Sequence, residues 1–187
     1  MAERTPFDFI QDATRSHRHQ HGCGAYTFED GAGLIATARQ YNPSRVLELG
    51  TALGFTACCL ASAGDRTRVD TIEGDPDHAA LARKNIRKAN LDNRITLHEG
   101  DFLAIMPTLD APYDLAFFDG FAPGLPIIEH LRALLGKDGV LICANLSLTS
   151  ARDKRLLDAE FRTVSRWSPV GQIEDGATQV FRKITGT

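Results

Sequence analysis

Two spacings of apolar residues alternate along this chain: short continuous runs, and stripes that recur every three or four positions. The runs read as strands, at Val46–Leu49, Val69–Glu73 (VDTIE), Arg94–His98 (RITLH), Tyr113–Phe118 (YDLAFF) and Val140–Ala144 (VLICA). The stripes read as helices. Leu34, Ile35, Ala38 and Tyr41 place one over 28–41 that ends at Asn42-Pro43, and 55–63 is apolar or small on every side until Gly64 stops it. Asp75-Pro76 starts a helix running to about Asn90, with Ala79, Leu81, Ala82 and Ile86 inside and Arg83, Lys84, Arg87 and Lys88 outside. That basic row reads first as a solvated face. Shorter helices are expected over 102–109, 124–135 and 152–161, and two tail strands over 162–170 and 178–184, joined by a turn at Asp175-Gly176. Ahead of all these, 6–16 predicts a short helix, and RSHRHQHGCG (15–24) predicts a polar loop ending in glycine. Strands alternating with helices imply a mostly parallel sheet covered on both faces.

Composition narrows the class. The 187 residues are 43% hydrophobic and 24% charged with a net charge of -3, which suits one compact globular domain and leaves no electrostatic footprint for nucleic acid. No apolar run approaches the roughly 18 residues of a membrane span, and the opening MAERTPFDF has no apolar signal core, so a cytoplasmic protein is expected. Cys23, Cys58, Cys59 and Cys143 lack metal-knuckle spacing and read as reduced thiols.

The chemistry concentrates at VLELGTALGFTA (46–57), where a strand runs into a glycine-punctuated turn and then a helix. Gly50 allows the sharp turn and the close approach of a ligand, and Gly54 does the same at the helix start. The pattern E-x-G-x-x-x-G is neither the G-x-G-x-x-G of a dinucleotide site nor a P-loop, so the ligand is not expected to be a pyrophosphate. Glu73 ends the next strand, where a carboxylate accepts both hydroxyls of a ribose. Asp101, after the third strand, is placed either to read an adenine amino group or to cap the helix that follows, and both roles are compatible. Asp119 is a strand-end acid of the kind that marks crevices in open sheets. On an extended segment His17, His19 and His21 would share one side as metal ligands or bases; as part of a polar loop they would be solvated imidazoles.

A glycine turn without a pyrophosphate fingerprint, followed one strand later by a ribose-reading acid, resembles the class I S-adenosylmethionine-dependent methyltransferases. NPSRVLELGTALGFT (42–56), TIEGDP (71–76) and the closing DGATQVFRKI are similar to the catechol O-methyltransferase group of small, single-domain enzymes. That resemblance implies a three-layer Rossmann-like methyltransferase fold, with a seven-stranded, mostly parallel sheet and an antiparallel C-terminal edge hairpin. It implies one domain over 1–187, with 1–28 as a lid or cap. It carries over Tyr26, Glu48, Gly50, Thr56 and Glu73 as cofactor contacts; Thr51, Gly54, Asp101 and Asp119 complete the expected cofactor set, with Asp119 and Asn145 as the expected catalytic pair. Thr56 would meet the methionyl carboxylate, Glu48, Gly50 and Glu73 would surround the amino group and ribose, and Tyr26 would lie near the sulfonium.

The departures matter as much as the matches. The group holds a divalent cation with an Asp ending strand four and an Asp-Asn pair ending strand five, and uses a lysine three residues after the first Asp. Here Asp119 and Asn145 stand, but Ala144 and Ala122 occupy the other two positions. One carboxylate is a poor trap for a hard cation, so no metal residue is assigned and metal-free transfer to a small molecule is expected. The expected cofactor is S-adenosyl-L-methionine and its product S-adenosyl-L-homocysteine. A homodimer is one assembly that the sequence allows without setting the oligomeric state. DGFAP (119–123) also resembles a stretch of tRNA wobble-uridine methyltransferases, which keeps an RNA-modifying reading beside the small-molecule one, and a non-catalytic cofactor-binding module is the third.

Overall fold

The computed structural model describes residues 3–185; Met1, Ala2, Gly186 and Thr187, the ends of the expected single domain, lie outside the described residues. Seven strands form one sheet in the order β3-β2-β1-β4-β5-β7-β6. They are β1 (Arg45–Leu49), β2 (Arg68–Glu73), β3 (Ile95–Glu99), β4 (Tyr113–Phe118), β5 (Leu135–Cys143), β6 (Trp167–Ile173) and β7 (Thr178–Lys183). The first five run parallel, and β7 is antiparallel to both β5 and β6. Helices α1 (Asp8–His21), α2 (Gly31–Tyr41), α3 (Phe55–Ala61) and α4 (Pro76–Lys88) precede α5 (Phe102–Ile105), α6 (Leu125–Leu134) and α7 (Ala151–Phe161).

Side-chain alternation along the strands divides the core into two layers. Val46, Val69, Leu115, Phe117 and Ile142 pack with the apolar faces of α1 to α4. Leu47, Leu49, Ala116, Phe118 and Leu141 pack on the other side, with α5, α6 and α7. The three-layer arrangement and the C-terminal hairpin are those the resemblance implies.

Two expectations are corrected. The helix at the N-terminus does not stop at Ser16 but continues to His21, so 15–21 is not an extended loop and the three histidines do not share a side. Gly22 ends it instead, left-handed at φ 61°, with its N–H donating to Arg18 O at 2.8 Å. Arg18, His19 and His21 in the last turn suit the negative end of the helix dipole. In the tail, Trp167 rather than Arg162 begins β6, because Arg166 N and Trp167 N both turn back to Thr163 O. Pro169 is tolerated there because β6 is an edge strand whose register shifts between Pro169 and Gly171.

Candidate active site

The strand order reverses at β1, whose neighbours are β2 and β4, and in open α/β sheets ligands bind beyond the strand ends at such a switch point. A cavity of about 450 Å³ opens there. Gly50, Thr51 and Ala52 after β1, Glu73 at the end of β2, Asp119 and Gly120 after β4, and Ala144 and Asn145 after β5 line it. Backbone bonds continue the sheet into this rim: Gly50 N donates to Ile72 O, Asp119 N to Leu49 O and Ala144 N to Phe118 O.

The turn after β1 requires its glycine. Gly50 has φ +98°, and a Cβ there would sit 2.6 Å from the backbone oxygen of Asp119. Ala52 is also left-handed, at φ 45°, an uncommon state for alanine. It is held by Glu73, whose Oε2 accepts from Ala52 N at 2.7 Å while Oε1 accepts from Asp75 N at 2.9 Å. A carboxylate has about four acceptor positions, so Glu73 orders the turn and retains capacity for two further donors.

Glu48 lies wholly buried beneath the turn. Thr51 Oγ1 bonds with Thr71 Oγ1, and Thr71 Oγ1 with Glu48 Oε2, linking the cavity wall to this acid. Glu48 Oε1 has no hydrogen-bond partner among the described residues. Burial pushes the Glu48 carboxyl from 4.5 up to about 7, against the pull of the Thr56 and Thr71 hydroxyls, and the Glu73 charge adds to the rise. Asp119, half-buried on the cavity wall, is raised well above the ordinary carboxylate range, first by burial and then by the charges of Glu48 and Glu174, with the Asn145 amide opposing. Asn145 Nδ2 donates to Asp119 Oδ1 at 3.1 Å and to Gly120 O at 2.7 Å. Both partners are acceptors, which fixes the amide nitrogen toward them.

Of the residues singled out in the sequence, Tyr26, Gly50, Thr51, Thr56, Glu73, Asp119 and Asn145 line the cavity. Glu48 sits behind the wall, and Gly54 is the left-handed residue preceding α3. Asp101 caps α5, accepting from Leu103 N at 2.8 Å and Ala104 N at 3.3 Å, and is not part of the wall among the described residues. His17, His19 and His21 are not in the wall either, whereas His78 is. Sequence reasoning missed His78, Phe102, Phe121, Leu148 and Glu174. Only His78 had a usable signal, its place one turn into the helix that follows Glu73. Glu174 reaches the site from the far hairpin, accepting from Glu29 N at 3.3 Å and Thr178 Oγ1 at 2.9 Å.

A sheet of this order, with a glycine turn and strand-end acids around a cavity at its switch point, makes this an open α/β protein with its cavity where such sheets bind ligands. Residues 47–146 match the family described as a methyltransferase domain, and the chain belongs to that family. It is 35% identical over 135 residues to the catechol O-methyltransferase of Niastella koreensis, covering 68% of this chain and 59% of that protein. It is 39% identical over 97 residues to the catechol O-methyltransferase of Mycobacterium tuberculosis, covering 51% and 44%. The chain thus spans about half the length of these relatives. Its fold is that of the O-methyltransferase TomG from Streptomyces achromogenes, solved in complex with SAM, at TM-score 0.82 and 21% identity, covering all of this chain and 92% of the other.

Proposed function

We propose that this chain is a cytoplasmic S-adenosylmethionine-dependent methyltransferase that methylates an oxygen of a small molecule without a required divalent cation. The observation that carries the reading is Glu73, a strand-end acid with acceptor capacity left over beside a left-handed glycine turn. Those features fit a ribose without a pyrophosphate. The cavity, at about 450 Å³, is of the size small-molecule sites have. Glu48 Oε1, buried behind the wall without a partner among the described residues, suits the ammonium of a methionyl group, and Thr51 and Thr56 on the wall suit its carboxylate. Tyr26, exposed at the mouth, and the segment through Thr27 and Phe28 serve as a cap.

S-Adenosylmethionine supplies an electrophilic methyl group on a sulfonium. The residues here bind and orient: with acceptor and methyl carbon held in line, a bimolecular transfer becomes effectively unimolecular. Asp119 accepts the proton of the attacking hydroxyl, since burial makes its carboxylate a stronger base than a surface aspartate, and Asn145 fixes its direction. The residues present do not fit Mg2+. Asn145 turns its amide nitrogen, a donor, toward Asp119, and Ala144 brings no oxygen ligand from its side chain. No lysine or arginine lines the cavity among the described residues, while Glu29, Glu73, Asp119 and Glu174 do, which favours a small acceptor over a tRNA. The basic row of α4 is also partly engaged, with Arg83 paired to Glu99 at 3.1 Å and Lys88 over the Phe9 ring at 4.3 Å.

The test is S-adenosylhomocysteine release across a library of small hydroxyl and amine acceptors, with tRNA run in parallel. Once an acceptor is found, Mg2+ added to metal-stripped enzyme should leave the rate unchanged, and Asp119→Asn should lower turnover by roughly 10²–10⁴-fold while cofactor binding persists. Activity that is lost on chelation and restored by Mg2+ or Mn2+ would contradict the metal-free reading. Release with tRNA alone would contradict the small-molecule one, and binding without release with any acceptor would leave a cofactor-holding module.

A further inference from the structure

A cluster outside the proposed chemistry joins the N-terminal helix to α4. His17, Cys23 and His78 each offer a ligand atom, and these three atoms lie within 4.8 Å of one another. In a tetrahedral site with metal–nitrogen bonds near 2.0 Å and metal–sulfur bonds near 2.3 Å, ligand atoms stand roughly 3.3–3.8 Å apart, so binding would draw these three together. The backbone explains the meeting. Gly22 turns the chain left-handed at the end of α1, so that Cys23 comes within reach of His17 from the last turns of the helix. His78 arrives from the first turn of α4, almost wholly buried, with its ring 5.3 Å edge-on from that of His17. Two carboxylates flank it: Nδ1 of His78 lies 4.0 Å from Glu73 and 3.9 Å from Asp75. His17 also has the ring of His21 at 4.5 Å, one turn on.

We propose that His17, Cys23 and His78 form a site for a borderline transition-metal cation of the Zn2+ class, which clasps the 17–23 segment to the start of α4 at the edge of the cavity. Two imidazoles and a thiolate select such a cation over Mg2+, which demands oxygen ligands. The flanking acids lower the local cost of a dication, and His21 or water completes the fourth position. Thr14, Gly24 and Tyr26 on one side of the clasp and Glu73 and His78 on the other all line the cavity, so the metal would fix that rim whatever the cavity holds. Cys23 is well suited as the thiol donor. Cys58, Cys59 and Cys143 are buried, and burial raises all three thiols, Cys58 to about 12.

Titrating Co2+ into metal-stripped protein, under a non-chelating reductant, tests this. One equivalent should produce a thiolate-to-cobalt charge-transfer band that Zn2+ abolishes and Mg2+ leaves alone. Cys23→Ser should remove the band, and His17→Ala should weaken Co2+ binding at least about tenfold. Zn2+ should raise the thermal midpoint of the wild type and not that of Cys23→Ser, a readout that also shows the variant folds. Absence of any band, or equal affinity and stoichiometry in wild type and Cys23→Ser, would overturn the site.

Discussion

Glu48 is the residue on which the electrostatics of the site turn. A carboxylate buried among apolar strands is penalised unless something pairs with it, and here one oxygen is paired through Thr71 while the other has no partner among the described residues. Its folded value near 7 lies above the unfolded 4.5, so between those values the folded state binds more protons than the unfolded. The contribution is therefore fully present below about pH 4.5 and is lost as pH rises through 7, amounting to about 3 kcal/mol. Denaturant unfolding of wild type and Glu48→Gln at pH 5 and pH 8 should show this as a difference of that order, with the wild type losing more stability at the higher pH. Parallel pH dependence in the two proteins would mean that the Glu48 carboxyl titrates alike in the folded and unfolded states.

Among the elements, α1 separates packing from function. Ile10 is wholly buried in the core shared with α2 and α3, and Gln11 Nε2 donates to Phe28 O at 2.8 Å, so the helix is anchored in the fold as well as bordering the cavity. Tyr26, beyond it, is 61% exposed with the Arg18 guanidinium 3.8 Å from its ring. Ile10→Ala should cost about 2–5 kcal/mol in chemical unfolding. Tyr26→Ala should cost no more than about 1 kcal/mol yet lower turnover, and the reverse ranking would refute the division into anchor and cap. The same helix marks where the sequence was hard to read. The strand runs, the Gly50 turn and Glu73 were legible because burial on two faces and a left-handed turn restrict residue type severely. The polar 15–21 segment had no apolar stripe, so its helical state rests on continuation from the buried residues before it and on Gly22 as a stop. Glu174 was illegible for another reason: its relation to Asp119 exists only because β6 and β7 fold back along β5.

At the scale of the whole molecule, one sheet brings four strand ends to a single cavity in a chain of the methyltransferase-domain family, while Ala122 and Ala144 depart from the pattern the resemblance to the catechol group implies. On the proposed reading the cavity holds a cofactor, and Glu73 with the Gly50 turn is the feature by which a ribose without phosphates would be told from a dinucleotide. Isothermal calorimetry with S-adenosylmethionine, S-adenosylhomocysteine and NAD tests that claim most directly. Both sulfur compounds should bind at one site, Glu73→Ala should weaken them by about 1–3 kcal/mol, or roughly 5- to 150-fold, and NAD should give no heat. Clear binding of NAD with none of S-adenosylmethionine would contradict the account.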